Sequence, residues 1–374
     1  MAAQSPPSTL AAQTAVLALP RIQAFVVDAF MLKLGVIAMF DRLGMIERVE
    51  FPTWLKQPVS VREHTAMHPI QGIGFHNIPL STESTDTAEA VFAPAHVVVN
   101  WSVTVEEEAQ LGSNPESRVR LATRRKAQAT NLAMRGLESH LLAGTAWGAS
   151  SRNVWAEAGF NSLDANVSGV TGLLQGATVS AQTGSVGALA RGTGLFQGSA
   201  AAAAPFDWFG QWNNVFRDLD SAFVTNIQSS LRSAMEEIEI QQIEDLPSSE
   251  RKLILLATAN KLLFQTTLTT NERWDSVQKA SNSIANGATV PVWGGKHPIV
   301  GHPRIRTGAA DTDCGAMILD PACIKLRTDQ KLWGMAPVPD VVLPGTIIKS
   351  GMLSFRGQLR AISLRTSAWL GDPS

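Results

Sequence analysis

Residues 113–144 read SNPESRVRLATRRKAQATNLAMRGLESHLLAG, and this stretch decides how the rest of the chain is organised. Ser113 or Asn114 can cap a helix, Pro115 suits its first position, Glu116 favours the positive end of the helix dipole, and Gly144 supplies a stop. The spacing predicts one helix over 114–143, and thirty residues at 1.5 Å each give it a length of roughly 45 Å. Val119, Ala122, Ala129, Leu132, Ala133, Leu137 and Leu141 form its predicted buried stripe. Arg118, Arg120, Arg124, Arg125, Lys126 and Arg135 fall mostly outside that stripe. Such a basic face suits a polyanion or an acidic neighbour, and equally a solvated helix surface.

Upstream of the helix the pattern is extended. Pro52, Pro58, Pro69, Pro79 and Pro94 exclude a helix from 51 to 111, while Val59–Arg62 and Val97–Val105 read as strands. We expect a long two-stranded excursion with a flexible tip, with Gln71–Asn77 and a Ser/Thr/Asp/Glu run to Glu89 between its strands. A loop of this length with few core residues is functional or disordered in most folds. Gly72 and Gly74 make half of a dinucleotide-binding fingerprint, but no apolar strand precedes them and no helix opens after them. His64 and His68 have the spacing of a helical metal pair, which Pro69 and the extended context break. Before the excursion, Ile22, Phe25, Val26, Ala29, Leu32, Val36, Phe40 and Leu43 step at helical spacing. That apolar stripe must dock on its own body or on an adjacent subunit. Pro20, Arg21, Asp28 and Lys33 interrupt it, so it reads neither as a signal peptide nor as a membrane span. The first dozen residues read as a mobile tail.

Downstream, Gly148 to Pro205 is rich in Gly and Ala and lacks a Walker pattern. Phe216, Leu219, Phe223, Ile227, Leu231, Ala234 and Ile238 then predict a second amphipathic helix. Glu236, Glu237 and Glu239 near its end oppose the helix dipole, so they face a basic partner or simply solvent. Lys252–Ala257 reads as a buried strand, with Thr258 or Asn260 capping a short helix after it. Val290–Trp293, Met317–Leu319 and Cys323–Leu326 read as further strands, and His297 and His302 as members of a connecting loop. From Gly351 to Trp369 the residues alternate: Leu353, Phe355, Leu359 and Ala361 on one face, Ser354, Arg356, Gln358 and Arg360 on the other. The phase flips after Ala361, which predicts a bulge or strong twist there.

Composition narrows the function. The chain has 374 residues, of which 45% are hydrophobic, enough for a sizeable core. Charged residues make up only 17%, against about 25% in an average soluble domain, so much of the surface is expected to be covered by neighbours. A net charge of −1 argues against wrapping nucleic acid with the whole surface. Cys314 and Cys323 signal neither a disulfide framework nor zinc. The seven His residues fall in unrelated contexts, with no GxSxG or HExxH motif beside them. The sequence therefore points away from an enzyme, with no cofactor and no metal.

The order of apolar N-terminal arm, extended loop, long capped basic helix, mixed α+β region and terminal strand resembles the major capsid protein of tailed bacteriophages, with the Hong Kong 97-like fold. The most specific local likeness is Leu253–Asn260, a strand ending at a capped helix, followed by Val290–Trp293, by Ala316–Arg327 and by the strand Phe355 to Trp369. The resemblance implies an α+β chain with an N-terminal arm over 1–50 and an extended loop over 51–111. It implies a peripheral domain over 112–215 carrying the spine helix 114–143 and the Gly/Ala-rich insertion. An axial domain would span 216–345, and 346–374 would form a C-terminal strand returning to the peripheral domain.

It further implies pentamers and hexamers closing into an icosahedral head around double-stranded DNA, in a virion assembled in the host cytoplasm. Its partners would be further copies of itself, portal and possible scaffold or cement proteins, and DNA held by non-specific contact, with no membrane. Phe25, Phe75, Ile78 and Phe92 would make inter-subunit contacts, and Arg118, Arg124, Arg125 and Lys126 would face DNA or a neighbour. Some relatives of this kind cross-link through a loop lysine. Here Lys56 is the only lysine between Lys33 and Lys126 and sits at the root of the loop, so non-covalent stabilisation is expected. About fifty residues precede the loop, so a scaffold would be separate or absent. An encapsulin-like compartment shell shares the fold and is the alternative.

Overall fold

The computed structural model describes residues 35–49, 56–60, 87–104, 115–143, 152–164, 172–176, 182–187, 189–191, 212–218, 223–240, 247–267, 292–293, 296–305, 314–329, 336–342 and 348–371. A short helix, α1 (Val36–Arg42), and strand β1 (Ile46–Val49) open this set. Val36, Met39 and Phe40 of α1 are buried in the chain's own body, which settles where this end of the apolar N-terminal stripe docks.

One five-stranded sheet is organised by β16 (Ile348–Ala361), the alternating stretch near the C-terminus. On one side it pairs antiparallel with β4 (Ala95–Thr104) along all ten residues of that strand, from Ala95↔Gly357 to Thr104↔Ile348. On the other it pairs with β14 (Ile324–Asp329) and β15 (Ala336–Val342), and β1 adds to β14 in parallel. Leu353, Phe355, Leu359 and Ala361 are fully buried, as the alternation predicts. Phe355 meets Trp155 edge-on at a centroid distance of 5.2 Å, and Phe160 packs against both rings.

The long helix is α2 (Pro115–Ala143). Every residue from Leu137 to Leu142 is buried, whereas nearer its start Leu121 is buried and Leu132 is 58% exposed. The buried surface thus differs from the predicted stripe. The last turns enter the core on all sides, whereas Leu121 packs apart from it against Val103 of β4 and Leu132 is left exposed.

A six-stranded sheet runs β11 (Val292–Trp293), β12 (His297–His302), β10 (Leu253–Ala257), β13 (Cys314–Leu319), β17 (Ala368–Gly371) and β9 (Val215–Asp218). All five residues of β10 are buried, because the sheet is covered on both faces. Ile254 and Leu256 join Ile318, Leu370 and the buried stripe Ile227, Leu231, Ala234 and Ile238 of α4 (Phe223–Ile240), with Phe264 of α5 (Thr258–Thr267). Leu253, Leu255 and Ala257 face the core that α2 and the first sheet share. Between α2 and α4 lie α3 (Val154–Glu157) and the short pairs β5 (Ser162–Asp164) with β6 (Gly172–Leu174) and β7 (Ser185–Val186) with β8 (Leu189–Ala190).

Four local readings are corrected. The excursion is closed by β2 (Lys56–Ser60) pairing with β3 (Thr87–Val91), Lys56↔Val91 to Ser60↔Thr87, while Val97–Thr104 belongs to β4 in the main sheet. Alternation told that both segments are extended but not which strand each would pair with. His297 and His302 lie in β12 instead of a loop, because their segment pairs in parallel with β10. Phe216 sits in β9, stacked on Trp369 at 5.9 Å, and the helix begins only at Phe223. Finally, β16 ends at Ala361 without continuing through a bulge. The Ile362 N–H donates to the Cys323 carbonyl, the chain turns through Ser363–Ser367, and β17 enters the other sheet. The C-terminal segment is therefore divided between the two sheets, and β14 and β15 share the first sheet with β4 instead of the six-stranded one.

Candidate assembly surfaces

The root of the excursion is fastened to the Gly/Ala-rich region. The Val91 N–H donates to the Gly187 carbonyl at 2.8 Å, and Gly187, at φ +57°, lets the turn close against the Phe92 ring. Phe92 meets Trp212 edge-on at 6.5 Å and is 4% exposed, so its side chain is spent within its own chain and leaves almost nothing for a neighbour. Val91 beside it is 40% exposed. Phe25, Phe75 and Ile78 lie outside the described residues.

A knot of side-chain amides holds this region to the body. Asn214 accepts from the Gln175 N–H at 2.8 Å through Oδ1 and donates through Nδ2 to the carbonyls of Gln175 and Val215. Gln182 donates to the Asn214 carbonyl and accepts its N–H through Oε1. Arg191 is buried and donates to the Gly172 and Leu173 carbonyls, and burial pushes its guanidinium down to about 10. The excursion thus springs from a rigid base, which composition could not foretell.

On α2, Arg124, Arg125 and Lys126 are half-buried, and Arg118 falls in a turn whose side chains are outside the description. The outward face of the first sheet carries a second group of charges. Glu47 binds Arg327 at 3.0 Å and Arg360 at 2.7 Å, from three neighbouring strands. Burial alone would raise the Glu47 carboxyl, but the Arg327 hydrogen bond and the charges of Arg360 and Arg327 outweigh it and hold it below the usual range. At the end of α4, Glu237 pairs with Arg217 at 2.5 Å, while Glu236 and Glu239 are exposed.

Several buried polar groups are committed to structure. His140 donates through Nε2 to the Phe160 carbonyl at 2.6 Å and accepts from Asn153 at Nδ1, and burial keeps its pKa below the ordinary imidazole value. A cleft of about 470 Å³ is lined by Ile238, Glu239, Ser248, Lys252, Lys296 and His297. There, however, His297 Nδ1 accepts the Lys252 N–H and Lys252 Nζ is bound to Asp320 and Ser248. Cys323 is buried, donates to the Pro247 carbonyl and is pushed up to about 11 by burial first and by Asp320 second, the opposite of an activated thiol. His96 Nε2 lies 2.7 Å from Ser354 Oγ, but among the described residues no carboxylate orients the ring. Among the described residues no three His, Cys, Asp or Glu side chains gather as for a metal. No helix among them is long and apolar enough to cross a membrane.

Two sheets sharing a core, a long helix against one of them and a paired excursion from a rigid root define a Hong Kong 97-like capsid fold. No protein-family model matches the chain, and no curated protein matches it by sequence. Among solved structures, the capsid of an empty GTA particle computed with C5 symmetry aligns with 94% of this chain and 96% of its own at a TM-score of 0.50 and 11% identity. The mature capsid of bacteriophage PhiM1 covers 94% and 91% of the two chains at 0.48 and 11% identity. The SrpI encapsulin of Synechococcus elongatus PCC 7942 covers 99% and 97% at 0.43 and 12% identity. The likeness to the GTA capsid establishes the fold over nearly the whole chain.

Proposed function

We propose that this chain is the major capsid protein of a tailed double-stranded DNA bacteriophage, self-assembling as pentamers and hexamers into the icosahedral head that encloses the genome. The observation that carries the reading is the fold itself, matched over 94% of the chain to a capsid protein. The paired excursion supports it. A two-stranded ribbon is marginal alone and leaves backbone groups seeking partners, and laying it on an adjacent subunit satisfies them. Phe75 and Ile78 would be buried there, and Phe25 of the arm would reach another copy. Phe92 is left out of this contact set, being buried at the ribbon's own root.

The scarcity of charge fits a protein whose surface is largely covered by copies of itself. Arg118, Arg124, Arg125 and Lys126 would meet packaged DNA or an acidic neighbour, without base specificity. The protein acts structurally, without cofactor or catalysis, in a virion assembled in the host cytoplasm together with portal and any scaffold or cement proteins. Electron microscopy of size-exclusion fractions tests this. Closed shells or rings of five and six subunits are expected. Encapsulated DNA would mark a virus head, and protein cargo would mark a compartment instead. A monodisperse monomer that resists assembly under crowding would overturn the proposal.

A further inference from the structure

Three distant parts of the chain meet at one carboxylate. Glu138, in the buried end of α2, accepts the Ile37 N–H of the first turn of α1 at 3.2 Å through Oε1. The approach is close, since a Cβ on Gly35 would lie 2.1 Å from the same oxygen. Its other oxygen lies 3.7 Å from Nε2 of His302, the last residue of β12. His302 is 1% exposed, and its Nδ1 accepts the Arg304 N–H at 3.1 Å. That bond leaves the proton of the neutral ring on Nε2. Nε2 is itself buried and makes no hydrogen bond. A buried donor without an acceptor is unfavourable. The separation exceeds the normal N–H···O range by less than about 1 Å, so a small movement would close it.

We propose that Glu138 and His302 form a proton-operated latch that sets how firmly the N-terminal helix is held to the body. In the neutral state the carboxylate is available to Ile37 and caps α1. A second proton on His302 turns Nδ1 into a donor, which must release the Arg304 N–H. The imidazolium then makes a charge-assisted bond to Glu138, and this draws the carboxylate away from Ile37. The first turn of α1 then loosens. Among the described residues, the other charges around the junction are Arg304 in the turn after β12 and Lys261 of α5, whose side chain lies against Gly301. Asp41 and Arg42 stand at the far end of α1.

Hydrogen exchange read by mass spectrometry on the full chain in its native assembly tests the latch between pH 8 and 5, after correction for intrinsic exchange. Acidification is expected to lower the protection of residues 36–42 by up to about tenfold more than that of β10, the equivalent of losing one hydrogen bond to a charged group. His302→Asn keeps an acceptor for the Arg304 N–H but cannot take the second proton, so it should abolish this difference. Glu138→Gln keeps an acceptor for the Ile37 N–H but cannot form the charged bond, so the protection of α1 should no longer depend on pH. Lys261→Met, which leaves the junction's hydrogen bonds in place, should keep the fall seen in the unmodified protein. A flat profile in the unmodified protein, or an unchanged fall in His302→Asn or in Glu138→Gln, would overturn the proposal. If His302→Asn does not fold, Glu138→Gln alone decides, and an unchanged fall there overturns the proposal.

Discussion

Lys252 and Asp320 form an ion pair inside the core, with side chains 3% and 0% exposed. Asp320 does more than balance a charge. Its Oδ1 accepts the N–H groups of Ser249 at 3.0 Å and Ala322 at 2.9 Å, and its Oδ2 accepts the Ser248 hydroxyl, so it ties the entrance of β10 to the turn between β13 and β14. Since β13 and β14 lie in different sheets, this carboxylate sits where the two sheets diverge. Lys252→Ala leaves it buried without its cation and should cost about 3–5 kcal/mol. Lys252→Met with Asp320→Leu should cost less than either single change, if charge compensation dominates. Urea unfolding of the two single variants and the double variant measures the difference.

The first sheet makes a second, purely steric prediction. Gly351 stands directly opposite Trp101, and a Cβ there would lie 2.4 Å from the indole ring. Gly351→Ala should therefore destabilise by about 1–3 kcal/mol through overpacking. Combining it with Trp101→Leu should recover part of that loss. Thermal unfolding of the double variant decides whether the ring is the obstacle, because no recovery would place the strain in the backbone.

Both predictions concern positions whose partners only the three-dimensional pairing reveals, and this marks the limit of what the sequence carried. The long helix was legible from its caps, β10 from its continuous apolar run, and β16 from its alternation, because each signal is local. The pairing of β2 with β3 was not legible, since Val97–Thr104 is as strand-like as Thr87–Val91 and strands do not encode their partners locally. The phase flip at Ala361 is visible in the sequence and predicts a bulge or strong twist. A strand that stops, turns and joins another sheet leaves the same trace. No sequence signal marked the Asn214 amide knot or the Glu138 junction, which join residues 39 and 101 positions apart.

Acid should weaken the fold in a defined window. His140 is held neutral by burial, and His297 by burial first and then by the charges of Lys252 and Lys296. Both folded-state values lie below the ordinary imidazole value of 6.5. Between the folded and unfolded values the unfolded chain binds more protons, so stability rises with pH there. Their contribution is complete above about pH 6.5 and is lost as pH falls below it. Denaturant midpoints at pH 7.5, 6.5 and 5.5 should fall in that order. His140→Asn should flatten part of the slope, and an unchanged slope would assign the acid sensitivity elsewhere.

Phe92 and Phe75 separate folding from assembly. Phe92 is buried against Trp212 and the Gly187 turn, so Phe92→Ala should destabilise the single subunit by about 3–5 kcal/mol, as large-to-small changes at buried aromatics do. Phe75 lies in sequence between β2 and β3 and is proposed to touch an adjacent copy. Phe75→Ala should leave the unfolding of isolated subunits within about 0.5 kcal/mol of the unmodified chain, as surface changes do. Its effect should appear instead in the protein concentration at which large particles form, followed by light scattering or sedimentation. A variant with intact subunit stability and a raised assembly threshold would assign the excursion to the inter-subunit contact. If Phe75→Ala unfolded the subunit and left the threshold unchanged, the excursion would be packing on its own body, and the apolar residues of the ribbon would have to be reassigned to the core.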